Sequence, residues 1–559
     1  MHKFHLNPLR YGMKISLVFD KIILYGLIFL IVFISVVPYS LAMQWSLLAI
    51  TVLGVVILVF SWLFRDIYQG NVTFLKTPLH LPAIAFLVLA VFQLVPLPAP
   101  VLRYISPSSA SVYNVIDYKG FKEVSTLLTR NDNTPDRERG ETMVTEETHQ
   151  KTESELIGKD TQKWHPITLY PYASKVELYR LLIYLGIYFL IINNIRSRRQ
   201  VTYIVATILI TAASLAFLAI LQYVSGTGKI FWLFDMEGTS FFGTFTNRDH
   251  FACYMGMTLP LGIGLLIKEY LRYSGKRYPP NNPGRNPFAI IKSFGSHGLS
   301  ELPGHMIFFY VCAVVIMLSS LFLARSGGGM LGITASSLLF IGMLRCRKRL
   351  RKLTWVVLPV IIVTFAMLVW VGIQPVVEEF SANIDIENPS LWARIAFWKD
   401  SVQAVKDFPI FGSGLGVFPY IYPQYDTVTR YTQRNFVNHA HNDYLELLLE
   451  TGAVGLAIVL WAWYRFIKDA ALYHILGLTK GIGHTQSVPQ QAPAHEPFRK
   501  RNDPFIIGIA MGGILGTISI AFHCIVEFNL HTPANAFLLS VLLGITTVVV
   551  HMKNENDQP

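Results

Sequence analysis

The chain has 559 residues, 52% of them hydrophobic and 15% charged, with a formal net charge of +12 and a mean hydropathy of +0.42. Such a chain cannot stay in water as a globule, so a soluble enzyme is excluded and an all-α, polytopic integral membrane protein is expected. The basic excess does not point to nucleic acid, because Lys and Arg gather at the ends of apolar runs rather than in a stripe on a soluble domain.

Reading apolar runs of about 17 to 25 residues as membrane spans predicts helices near 22–37, 45–64, 80–98, 176–193, 201–224, 251–267, 305–324, 328–344, 354–373, 443–465, 504–524 and 534–551. About twelve spans place both termini on one side. The first run lacks a small-residue cleavage site after it and is followed by further spans, so it reads as a retained helix rather than a signal peptide. Lys3, Arg10, Lys14 and Lys21 before the first span mark that side as cytoplasmic. Arg196, Arg198 and Arg199, then Arg345, Arg347, Lys348, Arg349, Arg351 and Lys352, then Arg499, Lys500 and Arg501 agree with it. Five regions follow: spans one to three (1–98), a first outer loop (99–175), spans four to nine (176–373), a large outer loop (374–440) and spans ten to twelve (441–559).

The first outer loop opens on Pro96-Leu97-Pro98-Ala99-Pro100 and holds a hydrophilic tract, Thr129 to Trp164, expected to be at most loosely ordered. The inner stretches Tyr273 to Gly304 and Gly481 to Asp503, rich in Pro, Gly, Asn and Gln, read as flexible connectors. Cys253, Cys312, Cys346 and Cys524 are scattered without Cys-x-x-Cys spacing and read as packing residues rather than a disulfide or zinc framework.

In the large outer loop, Leu391, Ile395, Trp398, Val402 and Val405 recur at helical spacing while Arg394, Lys399, Asp400 and Lys406 take other angles. The pattern predicts an amphipathic helix along the outer membrane surface, ended by Asp407-Phe408-Pro409 and the turn Gly412-Ser413-Gly414-Leu415-Gly416. Phe418, Tyr420, Tyr422 and Tyr425 follow, suited either to stacking on sugar rings or to anchoring at the membrane interface.

Span ten opens on Asn438-His439-Ala440-His441-Asn442-Asp443-Tyr444, where a titratable His meets water at a span's mouth. Three arginines are placed on the same outer side against the charge bias: Arg325 in Ala324-Arg325-Ser326-Gly327-Gly328-Gly329, Arg394 on the surface helix, and Arg248 in the stretch from Asn247 to His250. Guanidinium groups grip phosphate oxygens bidentately, and glycine-rich turns bring backbone N–H groups to the same anion. The anion that fits a membrane's outer surface is the diphosphate of a polyprenyl-linked sugar. There His441 can accept the proton of an acceptor hydroxyl as it attacks the anomeric carbon and the diphosphate leaves. Glu446, one turn above Glu450 on span ten, is the alternative base. His523, Glu527, Asn529 and His531 read as interfacial polar residues that can also line the outer site. His439-x-His441-x-Asp443 begins like a hydrolase metal motif, but Tyr444 stands where another His is wanted, so no metal is expected.

His441-Asn442-x-x-Leu445, six residues, then Gly452-x-x-Gly455 resembles the signature of the bacterial O-antigen ligase and O-antigen polymerase superfamily. Gly243 to His250, Arg325 in its Ser-Gly turn, Arg394, and Asp407-x-Pro409-x-x-Gly412-x-Gly414 are similar to it as well. The resemblance implies an inner-membrane enzyme with a periplasmic site that needs neither metal nor cofactor. It implies inverting transfer of a glycan from undecaprenyl diphosphate to an acceptor such as lipopolysaccharide core or a growing glycan. His441, Arg394 and Arg325 then correspond to the essential residues, and Asn247, Arg248 and His250 match more loosely as substrate contacts; Asn442, Tyr444 and Glu446, beside His441, are further candidate substrate contacts. The motif does not separate ligase from polymerase. A secondary transporter is the competing class, but it would show two related halves and a midplane site, whereas the unusual polar residues here collect on one surface.

Overall fold

The computed structural model describes residues 8–37, 44–70, 74–116, 164–235, 240–277, 304–346, 391–427, 437–470 and 503–552, with a few isolated positions between 351 and 369. The principal helices are α1 (Pro8–Val36), α2 (Gln44–Gln69), α3 (His80–Phe92), α4 (Pro171–Asn194), α5 (Arg198–Ser225), α6 (Arg248–Arg277), α7 (Gly304–Leu323), α8 (Gly327–Cys346), α9 (Leu391–Asp407), α10 (Asp443–Ile467), α11 (Pro504–His523) and α12 (Pro533–His551). Among the described residues, strand is confined to two ribbons, Leu97–Pro98 against Trp164–His165 and Lys229–Ile230 against Phe234–Asp235. Among the described residues, ten helices are long and apolar enough to cross a membrane, namely α1, α2, α4 to α8 and α10 to α12.

Two expected spans differ or fall outside this set. The run at 80–98 forms a helix only to Phe92, because Gln93 leaves it. The buried Gln93 amide donates to Phe411 O and Glu450 O and its Oε1 accepts from Leu415 N, so its hydrogen bonds are made to the outer loop. Nearly all of 354–373, the tract 129–163 and most of both inner connectors lie outside the described residues.

The buried centre is built from α6, α11 and α12. α6 and α11 approach to backbone contact: a Cβ on Gly264 would lie 2.2 Å from Gly508 O, the small-residue packing by which membrane helices gain dispersion contacts when lipid and side chain are equally apolar. Chain direction then sorts the two ends of the bundle. Arg196, Arg198, Arg199, Arg345, Arg465 and Lys468 lie at one end, where Arg198 pairs with Asp503, the N-cap of α11. The starts of α4, α6, α10 and α12 and the end of α11 lie at the other, and the polar residues of interest collect there.

The helix expected near 391–407 is present as α9, but it packs through another face than the apolar stripe suggests. Ala393, Phe397, Asp400, Ser401 and Ala404 are buried, while Ile395 and Val402 are 41% and 44% exposed. The inward face is built by Ala393, Phe397 and Ala404, which join Phe408, Val417, Phe418 and Tyr422 in a buried cluster, and by Asp400, which bonds Tyr422 and Thr427, while the half-buried Trp398 donates to Ala440 O at 2.9 Å.

Candidate functional site

The site begins with a helix that starts sharply and then breaks. Asn442 Oδ1 accepts from Tyr444 N (3.1 Å) and Leu445 N (3.0 Å), capping α10. His441 immediately precedes the cap in the left-handed region, φ 50°, a conformation that costs a non-glycine residue about 1–3 kcal/mol and is found where the surroundings impose it. Three turns on, Gly452 adopts φ 66°, ψ −172° and interrupts the helix. The freed backbone groups are taken by the loop after α9: Ala453 N donates to Pro409 O (2.8 Å), Val454 N to Ile410 O (3.2 Å), and Leu449 O and Glu450 O accept from Ser413 N and Gly414 N (3.0 Å each). A broken helix is tolerated at membrane depth when protein satisfies its backbone in this way.

His441 is held from the opposite side by the turn between α11 and α12. Its Nδ1 donates to Glu527 Oε1 at 2.7 Å, and the second Glu527 oxygen lies 2.9 Å from Arg394 on α9. Arg394 also contacts Asp249 in the first turn of α6 at 3.3 Å and donates to Val526 O. Burial alone would raise the Glu527 carboxyl, but Arg394 and the His441 hydrogen bond outweigh it and hold the group well below the usual carboxylate range. Burial likewise works against a charged Arg394, and Glu527 and Asp249 reverse that and raise it. With its Nδ1 given to a carboxylate, His441 is fixed in the tautomer whose Nε2 lone pair is an acceptor. Among the described residues Nε2 has no hydrogen-bond partner.

A second cluster sits alongside. His439 Nδ1 and His531 Nε2 both donate to Glu446 Oε1 (2.9 and 3.1 Å), and Glu446 Oε2 accepts from Ala440 N (2.8 Å). Phe528 separates the clusters, with His439 stacked on it at 4.2 Å and His250 and His441 meeting it edge-on at 4.7 and 4.8 Å. The donor atoms of His439, Glu446 and His531 lie within 4.8 Å of one another, a set able to hold a metal ion. As it stands, each imidazole is also accounted for as an N–H donor to one carboxylate. The trio is not the sequence pattern His439-x-His441-x-Asp443, because His441 turns away to Glu527.

Burial pushes His439 down to about 3 and His531 down to about 4. Between pH 6.5 and about 4 the unfolded chain therefore binds protons at these imidazoles that the folded chain refuses, so stability falls as pH is lowered through that window. Thermal unfolding of the detergent-solubilised protein is expected at lower temperature at pH 4.5 than at pH 6.5. His531→Gln, which keeps an N–H donor for Glu446, is expected to reduce that difference.

Both clusters border a cavity of about 780 Å³ whose lining includes His250, His439, His441, His531, Glu446 and Asn247. The arginine on that lining is Arg180 of α4, paired with Glu177. A second, apolar cavity of about 370 Å³ shares Glu177, Arg180, Glu450 and His531 with the first and runs between α3, α4, α10, α11 and α12.

The residues singled out in the sequence separate as follows. His441, His250, Asn247 and Glu446 reach the polar cavity. Arg394 lies behind it, engaged by Glu527 and Asp249. Asn442 is used as the helix cap, and Tyr444 lines the apolar cavity with its hydroxyl on Ala521 O. Arg248 starts α6 with Nε buried, and Arg325, at φ 51° between α7 and α8, is exposed. Neither lines the cavity. Sequence reasoning missed Arg180 and Glu177, although a charged pair three residues apart inside an apolar run is itself a signal. It read Glu527 as an interfacial polar residue that could also line the outer site, and the structure makes it the partner of both His441 and Arg394.

Residues 312–460 match the family model described as O-antigen ligase (Wzy_C). The matched segment contains Arg325, Arg394, His441 and Gly452, and supports membership of the O-antigen ligase and polymerase superfamily. A comparison with curated proteins finds no match.

Proposed function

We propose, taking that superfamily match as the premise, that the protein is a membrane glycosyltransferase. It transfers a glycan from a polyprenyl diphosphate carrier, undecaprenyl diphosphate in bacteria, to an acceptor hydroxyl such as one on lipopolysaccharide core. The observation that carries the reading is His441 on a polar cavity with Nδ1 bound to the buried Glu527. The acceptor O–H gives its proton to His441 Nε2 while its oxygen attacks the anomeric carbon. The bond from that carbon to the diphosphate oxygen breaks with inversion, and the diphosphate leaves carrying the electron pair. Glu527 orients the imidazole and stabilises the imidazolium that forms, the role a buried carboxylate takes beside a catalytic His. Arg394 positions Glu527. No step in this sequence requires a metal or cofactor.

The donor's parts have matching surroundings. Arg180, at the junction of the two cavities, supplies positive charge for the diphosphate, and the apolar cavity suits the start of a prenyl chain. Arg325, exposed at the same end of the bundle, is a further cation for donor or acceptor phosphate. The basic residues at the opposite end support a site on the periplasmic face of the inner membrane, by the positive-inside rule.

Reconstitution with a lipid-linked donor and candidate acceptors tests the reading. Transfer of one preformed block indicates a ligase; a ladder of longer lipid-linked glycans indicates the polymerase alternative, and neither product refutes both. Within this assay Arg180→Ala is expected to lower transfer about 10- to 100-fold, the scale of one lost charge-assisted phosphate contact, with Arg180→Lys intermediate. Unchanged rates would remove Arg180 from the donor site.

A further inference from the structure

We infer that Tyr172 and Tyr420 form a sugar-stacking subsite at the rim of the polar cavity, a binding site for the non-lipid, glycan portion of a substrate. The inference rests on the glycan-transfer reading and adds to it a place where a pyranose ring sits.

The segment 418–425 carries four aromatic rings, and the structure gives them different tasks. Phe418 and Tyr422 are buried and stacked on each other at 5.1 Å, and the Tyr425 hydroxyl donates to Asp407. Tyr420 instead is 57% exposed and lines the cavity, as does Tyr172, 56% exposed, from the first turn of α4. Tyr170 sits between them, its centroid 4.3 Å from Tyr420 and 6.1 Å from Tyr172. Tyr172 and Tyr420, from two separated segments, thus line the wall of the cavity that His441 also borders, with Tyr170 between them.

The supports under these rings are rigid. Leu169 N donates to Ser413 O (2.9 Å) and Ser174 Oγ to Leu415 O (2.7 Å), tying the start of α4 to the turn before the 418–421 helix. Phe418 N donates to Glu450 Oε1 at 3.1 Å, fixing that helix to α10. Exposed rings on preorganised supports lose little entropy on binding. The electron-rich ring face attracts the polarised C–H groups on one face of a pyranose, and Asn438 and His439 on the same cavity can bond its hydroxyls. A ring serving only as a membrane anchor has no need to line this cavity.

The test uses the full-length protein in nanodiscs and two lipid-free probes: core oligosaccharide released from lipopolysaccharide for the acceptor, and polysaccharide chain released from its carrier for the donor. Saturation-transfer NMR gives the affinity of each. Tyr172→Ala and Tyr420→Ala are each expected to weaken one probe about 3- to 10-fold, the equivalent of one aromatic stacking contact, while Tyr172→Phe and Tyr420→Phe keep wild-type affinity because the ring face remains. The probe that weakens identifies the substrate seated there. Equal affinity in the Ala and Phe variants, failure of both probes to bind the wild type, or Ala variants that change only recovery in the membrane fraction would each overturn the inference, the last in favour of anchoring. His441→Ala is expected to bind both probes as the wild type does while losing transfer, and a wild-type protein that binds the probes but transfers no glycan would refute the catalytic reading and leave the subsite standing.

Discussion

His441→Ala is expected to abolish glycan transfer, with the rate falling about 10²- to 10⁴-fold, the range a general base contributes, while the protein inserts and unfolds much as the wild type does. The arrangement behind this expectation is a chain of contacts, His441 to Glu527 to Arg394 to Asp249, in which only the first member reaches the cavity. Glu527→Gln separates positioning from proton transfer. Its amide oxygen can still accept from Nδ1, so the tautomer is retained, but the charge that steadies an imidazolium is lost, and kcat is expected to fall about 10- to 100-fold with little change in KM. Arg394→Ala behaves differently. It leaves Glu527 and Asp249 buried without their guanidinium, and removing one partner of a buried ion pair costs about 3–5 kcal/mol, so activity and thermal stability are expected to fall together. Measuring turnover and unfolding side by side on the three variants decides the matter; full activity in His441→Ala would move the base elsewhere, with Glu446 next in line.

The second large effect is structural. Gly452→Ala is expected to give almost no folded protein in the membrane fraction. Its φ and ψ lie in a region that is essentially restricted to glycine, and a Cβ there would meet Ile410 O at 2.1 Å and Phe411 N at 2.6 Å, both backbone atoms of the loop that completes the broken helix. Neither the helix nor the loop can yield without losing the hydrogen bonds that satisfy the break. Gly455→Ala offers the comparison within the same motif. Its Cβ would meet the Thr451 hydroxyl at 2.0 Å, which can rotate away, and Thr451 Cβ at 2.3 Å, which cannot, so the yield of folded protein is expected to fall, but less than for Gly452→Ala, where backbone atoms and a positive φ stand in the way together. Equal yields from the two variants would contradict this account of why the helix breaks at Gly452.

Much of the architecture was legible because lipid imposes its demands locally. A run of apolar residues must become a helix whatever lies beside it, and ten such helices appear where the hydropathy pattern placed them. The polar opening of α10 was legible for the same reason, since His and Asn at a span's mouth stand out from their neighbours. The run at 80–98 was misjudged past Phe92 because Gln93 answers to the distant loop at 411–415, not to lipid. The buried face of α9 was missed because it is carried by Phe397, the small Ala393 and Ala404 and the hydrogen-bonded Asp400, and not by the larger Ile395 and Val402.

The amino-acid sequence by itself determined a membrane-spanning helical protein, the direction of its charge bias and the presence of a histidine at the head of the tenth predicted span. Only the tertiary structure decided what that histidine touches. Glu527 lies 86 residues away from His441 and outside the segment that matches the O-antigen ligase family, and Arg180 lies in a helix of the opposite half. Hydropathy and spacing report each residue's encounter with water or lipid. Which carboxylate meets which imidazole depends on packing between helices, and that information is carried by no single stretch of chain.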